Sequence, residues 1–238
     1  MIGGIQPCSF IDFPGNIAAV LFLQGCNLRC RYCQNPQLMP ISGERSISEA
    51  DALKFLGDRK GRLTGVVVSG GEPTLQDSML ELLNPIRSMG FSIKIDTNGT
   101  RPDAVRRLVT ESLIDYAAVD VKIAPGPASH SLCGLKNQAE KAAETLSFLA
   151  QSGIPCEART TVVEEFHDLG SLEAVARMLE SAGVVTWKIQ QVEATGFAPP
   201  DPDVLSQATE VAAALGLDAS VRPRAQQQKG RDLPIKSA

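Results

Sequence analysis

The stretch Ile17-Ala18-Ala19-Val20-Leu21-Phe22-Leu23-Gln24-Gly25-Cys26-Asn27-Leu28-Arg29-Cys30-Arg31-Tyr32-Cys33 joins an apolar run to a polar loop that contains three cysteines. Seven consecutive apolar residues predict a strand that is buried on both faces, as the strands of a parallel sheet are. In folds built on parallel sheets, functional residues lie at the carboxyl ends of the strands. We therefore expect the cysteine loop in a functional site at the edge of such a sheet.

Similar apolar runs recur along the rest of the chain, and a helical pattern of roughly 10 to 15 residues separates each from the next. This alternation predicts an α/β fold with a parallel sheet and right-handed crossovers. About six β-α units suffice for a doubly wound sheet or an incomplete barrel, whereas a closed barrel needs eight. The predicted strands cover residues 17–23, 64–68, 91–95, 116–121, 156–163 and 184–190, with a short seventh at 219–221.

The segments of the chain differ in composition only near its end. No linker rich in Ser and Gly divides residues 1–221, which are expected to form one domain. Residues 222–238 hold five basic residues and one acid, a net charge of +4. We interpret them as a basic, flexible tail in solvent. The alternative is a segment that docks on a partner.

Overall composition excludes several classes of protein. The 238 residues include 27 acids and 23 Lys or Arg, a net charge of −4, with 8 Phe, 2 Tyr and 1 Trp. Nucleic-acid-binding domains usually carry a basic face and aromatic platforms, so no nucleic-acid partner is expected. No apolar run reaches the roughly 18 to 20 residues of a membrane span, and the start of the chain lacks the basic residues of a signal peptide. We expect a cytoplasmic protein with no membrane partner.

The cysteine loop has the spacing C-x₃-C-x₂-C, formed by Cys26, Cys30 and Cys33. In a reducing compartment such a cluster indicates metal ligation or redox chemistry rather than disulfides. Short loops with several cysteines hold iron–sulfur clusters, whereas structural zinc needs four ligands. No fourth Cys or His lies nearby in sequence, so we expect an iron–sulfur cluster, with zinc as the alternative. Three ligands for four irons would leave one iron open to another ligand.

Other unusual residues follow the remaining strands. Gly70-Gly71-Glu72-Pro73 follows the second strand, and its two interpretations are a tight turn or a backbone edge that approaches a ligand, with Glu72 receiving a cationic group. Asp96-Thr97-Asn98-Gly99 follows the third strand, where Asn-Gly alone would indicate a turn. All of these residues are expected on one rim, which indicates one shared site.

Charged residues also end the later strands. Asp120 and Lys122 are alternate residues that point to the same face of the fourth strand, and Arg159 lies on the fifth. Charges on parallel strands need a reason, because such strands are usually buried on both sides. The simple reason is a charge pair at the strand end. The functional reason is a lysine that faces an anionic ligand, with Asp96 and Asp120 sharing a cation or a ribose.

Two of these motifs together resemble the radical S-adenosylmethionine (SAM) enzymes: the C-x₃-C-x₂-C loop, with Tyr32 before its last cysteine, and Gly70-Gly71-Glu72-Pro73. Both follow the strands that carry them in that family, and the resemblance extends over residues 5–195. It implies the family fold, a partial (β/α)₆ TIM-like barrel, which agrees with the count of β-α units.

Within this superfamily the chain is similar to the activating enzymes of glycyl radical enzymes, above all to the longer form of the anaerobic ribonucleoside-triphosphate reductase activating protein. The similarity rests on Ser9-Phe10-Ile11-Asp12-Phe13-Pro14-Gly15, Gln24-Gly25-Cys26-Asn27 and Cys33-Gln34-Asn35-Pro36. Two features depart from related activating enzymes. The chain has no insert with further cysteine-rich clusters, and Gln34 stands where a His is common.

The resemblance implies two cofactors and the residues that hold them. A [4Fe-4S] cluster would be held by the three clustered cysteines, and SAM would bind the open iron. Lys122 would face the methionine carboxylate of SAM, while Glu72 and the Gly70-Gly71 backbone would hold its amino group. The Tyr32 backbone would contact the adenine. The remaining expected SAM contacts are Asp96, Thr97, Asp120 and Arg159, with room for a monovalent cation near Asp96 and Asp120.

The activity implied by the resemblance is reductive cleavage of SAM to a 5′-deoxyadenosyl radical, which takes a hydrogen atom from a glycine of a partner enzyme. The partners implied are a glycyl radical enzyme and an electron donor of the flavodoxin or ferredoxin type. Three alternatives remain. They are a radical SAM enzyme that acts on a small molecule, such as 7-carboxy-7-deazaguanine synthase, an activating enzyme of another glycyl radical enzyme, and a non-catalytic metal-binding or electron-transfer protein.

Overall fold

One eight-stranded sheet runs through the computed structural model, which describes residues 2–41, 47–194 and 196–222. The strands are β1 (Ile2–Ser9), β2 (Ala18–Leu23), β3 (Gly65–Gly70), β4 (Ser92–Thr97), β5 (Tyr116–Asp120), β6 (Cys156–Val162), β7 (Thr186–Gln191) and β8 (Asp218–Arg222). The helices are α1 (Glu49–Gly57), α2 (Met79–Ser88), α3 (Pro102–Thr110), α4 (Ala128–Cys133), α5 (Gln138–Ser152), α6 (Leu169–Ser181) and α7 (Pro202–Ala214).

The strands lie side by side in chain order from β1 to β8. Strand β1 is antiparallel to β2, and every later pair of neighbours is parallel. A doubly wound sheet reverses its strand order near the middle, so the unbroken order identifies the incomplete barrel. Within the described ranges β1 and β8 do not pair with each other, which leaves the barrel open along one side.

The strands predicted from the sequence are present, each within two residues of its expected ends, and the short seventh is β8. Strands β2 to β7 are each followed by at least one helix, which gives the six expected β-α units, and β8 is the seventh parallel strand. Strand β1 was not predicted, because Gly3, Gly4 and Pro7 interrupt the pattern that marks a strand. Helix α4 was also missed. Arg222, assigned from the sequence to the tail, is instead the last residue of β8 and pairs with Gln190. The rest of the proposed tail, residues 223–238, lies outside the described part of the chain.

Local chemistry explains where several helices begin and end. Ser48 caps α1 by accepting a hydrogen bond from the backbone N–H of Asp51 over 3.0 Å. Pro102 starts α3, where its missing N–H has no cost. Gly153 ends α5 in the left-handed conformation, with φ of 76°. No helix in the described ranges is both long and apolar enough to cross a membrane.

The two faces of the sheet bury different residues. The outer face packs apolar side chains such as Val66 and Ile93 under the helices. The one tryptophan of the sequence, Trp187 on β7, belongs to this layer, and its Nε1 donates to Thr160 Oγ1 on β6 over 3.0 Å. The inner face is apolar on β2 and β3, where Val20 packs near Phe13, but carries charged side chains on β4, β5 and β6. The interior of the barrel can therefore bind polar groups of a ligand on the wall formed by β4, β5 and β6.

Candidate active site

A cavity of about 940 Å³ occupies the interior of the barrel. It extends from the cysteine loop, at the carboxyl ends of the parallel strands, to the β1–β2 loop (residues 10–17) at their amino ends. Eleven of the twelve site residues predicted from the sequence line it, namely Cys26, Cys30, Tyr32, Cys33, Gly70, Gly71, Asp96, Thr97, Asp120, Lys122 and Arg159. The strand-end residues therefore share one site, as their positions in the sequence predicted.

The cysteine loop is fixed by backbone hydrogen bonds on two sides. The N–H groups of Arg29 and Arg31 donate to the carbonyl oxygens of Cys133 and Leu132, over 2.8 and 3.1 Å. These acceptors belong to the end of α4, which explains the place of this short helix. On the other side, the Gly25 N–H donates to the Leu38 oxygen over 2.8 Å. A loop held in this way presents its thiols in a defined position before any ligand binds.

Gly71 allows the turn after β3 to approach the cysteine loop closely. A Cβ atom at this position would lie 2.1 Å from the carbonyl oxygen of Gly25. The next residue, Glu72, donates its N–H to that same oxygen over 2.8 Å. The Gly-Gly pair is therefore required by backbone packing between two strand ends, and it also leaves its own backbone on the cavity wall.

Glu72 is the one predicted site residue that does not line the cavity. It is fully buried, and its carboxylate accepts hydrogen bonds from the Thr74 N–H and hydroxyl, the Thr97 hydroxyl at 2.7 Å and the Asn98 N–H at 2.6 Å. Three of these donors reach Oε1 and one reaches Oε2, so both oxygens of the carboxylate are hydrogen-bonded. Burial raises the pKa of Glu72, and these hydrogen bonds act in the opposite direction. In this structure the side chain of Glu72 links the turns after β3 and β4 by hydrogen bonds. The backbone of Gly70 and Gly71 faces the cavity, and Glu72 does not line it.

Arg159 lies between the two predicted aspartates. Its Nη1 is 3.1 Å from Asp96 Oδ2, and its Nε donates to Asp120 Oδ1 over 2.9 Å. Lys122 Nζ donates to the second oxygen of Asp120 over 3.0 Å. Asp96 and Asp120 therefore share the guanidinium of Arg159 as a common counter-charge.

These neighbours keep the site ionised. Burial alone would raise the pKa of Asp120, but Arg159 and Lys122 outweigh it and lower that pKa to about 2. For Lys122, burial works against the charged form, but Asp120 outweighs it and raises the pKa above its usual value. Lys122 is therefore a permanent cation on the cavity wall, suited to an anionic group of a ligand.

Two buried residues outside the predicted site, His167 and Gln138, hold Lys122 in place. His167 Nε2 lies 2.8 Å from the Lys122 carbonyl oxygen, and its Nδ1 accepts from the Val163 N–H over 3.1 Å. Burial lowers the pKa of His167, so the ring is neutral and Nε2 carries the donated proton. Gln138 is the first residue of α5. Its side-chain oxygen accepts from the backbone N–H of Lys122, and its side-chain nitrogen donates to the backbone carbonyl oxygen of Asp120.

The residues on the cavity wall fit an iron–sulfur cluster and a ligand beside it. Thiolates are the ligands of such clusters, and three cysteines line the wall. Burial raises the pKa of Cys30 to about 12, while the charge of Lys122 acts to lower it. In the described ranges no three His, Cys, Asp or Glu side chains are close enough together to hold a single metal ion. A four-iron cluster is larger than one ion, so its ligands lie farther apart. The buried hydroxyl of Tyr32 has no hydrogen-bond partner there, which leaves it available to a ligand.

Comparison with known proteins decides the family. The family model described as the radical SAM superfamily matches residues 20–182, more than half of the chain. This chain belongs to the radical SAM superfamily. It is therefore an enzyme whose cofactors are a [4Fe-4S] cluster and SAM.

Individual relatives narrow the class within the superfamily. A Methanocaldococcus jannaschii protein named as a glycyl-radical enzyme activating enzyme is 33% identical over 197 residues, which cover 81% of this chain and 80% of that protein. The pyruvate formate-lyase-activating enzyme of Clostridium pasteurianum is 37% identical over 105 residues, 41% of this chain and 43% of that enzyme. The chain is thus a radical SAM enzyme of the activating class.

A solved structure supports the fold of this radical SAM enzyme. The radical SAM methyltransferase from Sphaerobacter thermophilus superposes with a TM-score of 0.71 at 20% sequence identity, covering 91% of this chain and 68% of that one. At this identity the match shows the fold alone. It confirms the partial barrel expected from the sequence.

Proposed function

We propose that this radical SAM enzyme generates a glycyl radical on a partner enzyme, and that the partner is an anaerobic ribonucleoside-triphosphate reductase. One observation supports action on a protein. The cavity continues from the cluster cysteines through the barrel to the β1–β2 loop, where Phe10 is 75% and Ile11 is 56% exposed. Exposed apolar side chains at the mouth of an active site are typical of surfaces that bind another chain. The similarity of residues 9–15, 24–27 and 33–36 to the reductase activating protein supports the identity of the partner.

The cysteines and the rim charges have separate roles in this proposal. Cys26, Cys30 and Cys33 hold the cluster, and Lys122 binds the methionine carboxylate of SAM. The Gly70-Gly71 backbone receives the methionine amino group. When bound, the cluster and SAM supply one-electron cleavage of SAM to methionine and a 5′-deoxyadenosyl radical, with the electron from a donor of the flavodoxin or ferredoxin type.

The barrel orients the reacting groups and excludes water. Arg159 fixes Asp96 and Asp120 beside the expected ribose, and Tyr32 closes the wall next to the cluster cysteines. The open side between β1 and β8 admits a segment of the partner that carries its glycine. A glycine Cα held at this place would supply the hydrogen atom that the cofactors remove, and the unpaired electron would remain on that carbon.

The test is anaerobic and uses the reconstituted enzyme with iron, sulfide, a reductant, SAM and a purified anaerobic ribonucleotide reductase. The readouts are 5′-deoxyadenosine and the electron paramagnetic resonance doublet of a glycyl radical on the reductase. Cys30→Ala removes a cluster ligand, whereas Cys156→Ala is the matched control, because Cys156 is half-buried at the start of β6 and does not line the cavity.

The proposal predicts both signals with the wild type and Cys156→Ala, and neither with Cys30→Ala. A glycyl radical on pyruvate formate-lyase but not on the reductase would keep the reaction and change the partner. 5′-Deoxyadenosine formed with a small-molecule substrate, and no radical on either protein, would contradict the activating function in favour of the small-molecule alternative.

A further inference from the structure

Lys94 on β4 is a buried lysine that the proposed reaction does not use. It is 1% exposed, and its Nζ donates to the carbonyl oxygen of Asp12 over 2.6 Å. The same Nζ lies 2.9 Å from Asp96 Oδ1. Asp12 belongs to the β1–β2 loop, and Asp96 is linked through Arg159 and Asp120 to Lys122. One ammonium group thus contacts both the loop at the mouth of the cavity and the charges beside SAM.

The β1–β2 loop and the rim with Lys122 lie at opposite ends of the barrel, and Asp12 reaches inward so that its carbonyl oxygen and Asp96 Oδ1 both contact Lys94 Nζ. The β1–β2 loop precedes β2, and the cysteine loop follows it. The six residues of β2 separate these ends by about 17 Å, at roughly 3.3 Å per residue. Besides β2 itself, a chain of ion pairs runs through the interior from Lys94 to Lys122, by way of Asp96, Arg159 and Asp120.

Lys94 has a second carboxylate within reach. Glu157 on β6 is 1% exposed, and its Oε1 lies 3.8 Å from Lys94 Nζ. This oxygen makes no hydrogen bond in the described part of the chain. Its other oxygen accepts from the Tyr116 hydroxyl over 3.3 Å. Arg222 Nη2 also lies 3.8 Å from that second oxygen. A buried oxygen without a donor attracts a nearby cation, so Oε1 of Glu157 is an alternative partner to Asp96 for Lys94.

We propose that Lys94 is a positioning residue that couples the β1–β2 loop to the SAM site by dividing its charge between Asp96 and Glu157. With the loop in place, the Asp12 carbonyl holds the ammonium against Asp96. When the loop moves, Lys94 shifts to Glu157, and Asp96 draws Arg159 away from Asp120. Asp120 then holds Lys122 more tightly, and Lys122 binds the SAM carboxylate less well. The inference rests on the proposed function only for SAM binding beside Lys122.

Coupling of this kind is reciprocal, so SAM bound at the rim must stabilise the distant loop. The experiment measures hydrogen–deuterium exchange of residues 10–17 in the reconstituted enzyme, with and without SAM. We expect SAM to slow exchange of these amides about fivefold in the wild type. Lys188→Met is the matched control, because Lys188 also points into the barrel but hydrogen-bonds Ser220 and contacts neither the loop nor Asp96.

Glu157→Gln is the decisive variant, since it removes the alternative partner and leaves Lys94 on Asp96. The effect of SAM on the loop should fall below about twofold in Glu157→Gln and remain in Lys188→Met. Lys94→Met should also lose it, although this variant leaves Asp96 with Arg159 alone and Glu157 with Arg222 alone and costs stability. Equal protection in Glu157→Gln and wild type, or no protection in the wild type, would overturn the inference. The measurement needs no electron donor and no partner, so its outcome is independent of the test for a glycyl radical.

Discussion

The backbone N–H of Glu72 donates to the carbonyl oxygen of Gly25 over 2.8 Å, which ties the turn after β3 to the start of the cysteine loop. This contact exists because Gly71, the residue between them in space, has no side chain. The Gly-Gly-Glu motif therefore supports the cluster ligands mechanically as well as facing the ligand cavity. This double use is open to a direct test.

Gly71→Ala should lose most of its iron–sulfur cluster. The added Cβ would lie 2.1 Å from the Gly25 oxygen, so the cysteine loop must move, at a cost of about 2 kcal/mol in stability. Iron per protein and the 5′-deoxyadenosine yield measure the effect. Gly57→Ala, at the end of α1 with open space around its Cβ, should keep full iron content. Full cluster content in Gly71→Ala would show that the close approach is not needed.

Lys122→Met should weaken SAM binding by at least about tenfold, because it removes the cation that faces the ligand carboxylate and leaves Asp120 with Arg159 alone. Equilibrium dialysis of SAM against the reconstituted variant measures this. Lys188→Met changes a lysine elsewhere in the barrel and should bind SAM normally. If both variants bind SAM equally well, the carboxylate is held by another group.

Asp120 should make stability depend on pH in strong acid. Its pKa in the folded protein is about 2, below the ordinary aspartate value, because Arg159 and Lys122 outweigh the effect of burial. Its contribution is therefore present above about pH 4 and is lost as the pH falls through 2. Urea unfolding between pH 5 and 2.5 should show a smaller loss of stability in Asp120→Asn than in the wild type. Asp218→Asn, an exposed position on β8, should retain the wild-type slope.

His167 should make stability depend on pH in a milder range. Burial lowers its pKa, so the unfolded chain binds a proton that the folded protein resists. Stability should fall as the pH drops below about 6.5, the ordinary histidine value. His167→Phe should remove this dependence of stability on pH and lower the free energy of unfolding by about 2 kcal/mol. It should also weaken SAM binding, because the Lys122 carbonyl loses its hydrogen bond to His167. His130→Phe, at the exposed position of the only other histidine, should keep the slope. A slope that survives in His167→Phe would assign it to other groups.

The rim of the site was predictable because the alternation of strands and helices predicts parallel strands, and the carboxyl ends of parallel strands lie at one edge of the sheet. Six apolar runs placed the cysteine loop, the Gly-Gly turn and the charges of β4, β5 and β6 on one edge, and the cavity lining shows the same set. Asp120 and Lys122 share a face for the simple reason that they are alternate residues of one extended segment.

The interior ion pairs were not predictable, since they depend on distances between strands that are far apart in sequence. Arg159 meets Asp96 only because β4 and β6 flank β5 in the sheet. Lys94 and Glu157 appear in the sequence as single charges in apolar runs, and nothing local shows that they are buried together. Glu72 was predicted to face the ligand, but in the structure its carboxylate accepts hydrogen bonds from Thr74 and Thr97 instead.

Trp187 gives the barrel an internal optical probe. Because Trp187 is the sole tryptophan, all tryptophan fluorescence comes from the contact between β6 and β7. Trp187 is next in the chain to Lys188, the residue that pairs with Arg159 across these two strands. A buried indole emits at shorter wavelength than one in water, so a red shift would report separation of these two strands. Every variant of the charged wall can thus be checked for an intact barrel, without a label, in the same cuvette that records the absorbance of its cluster.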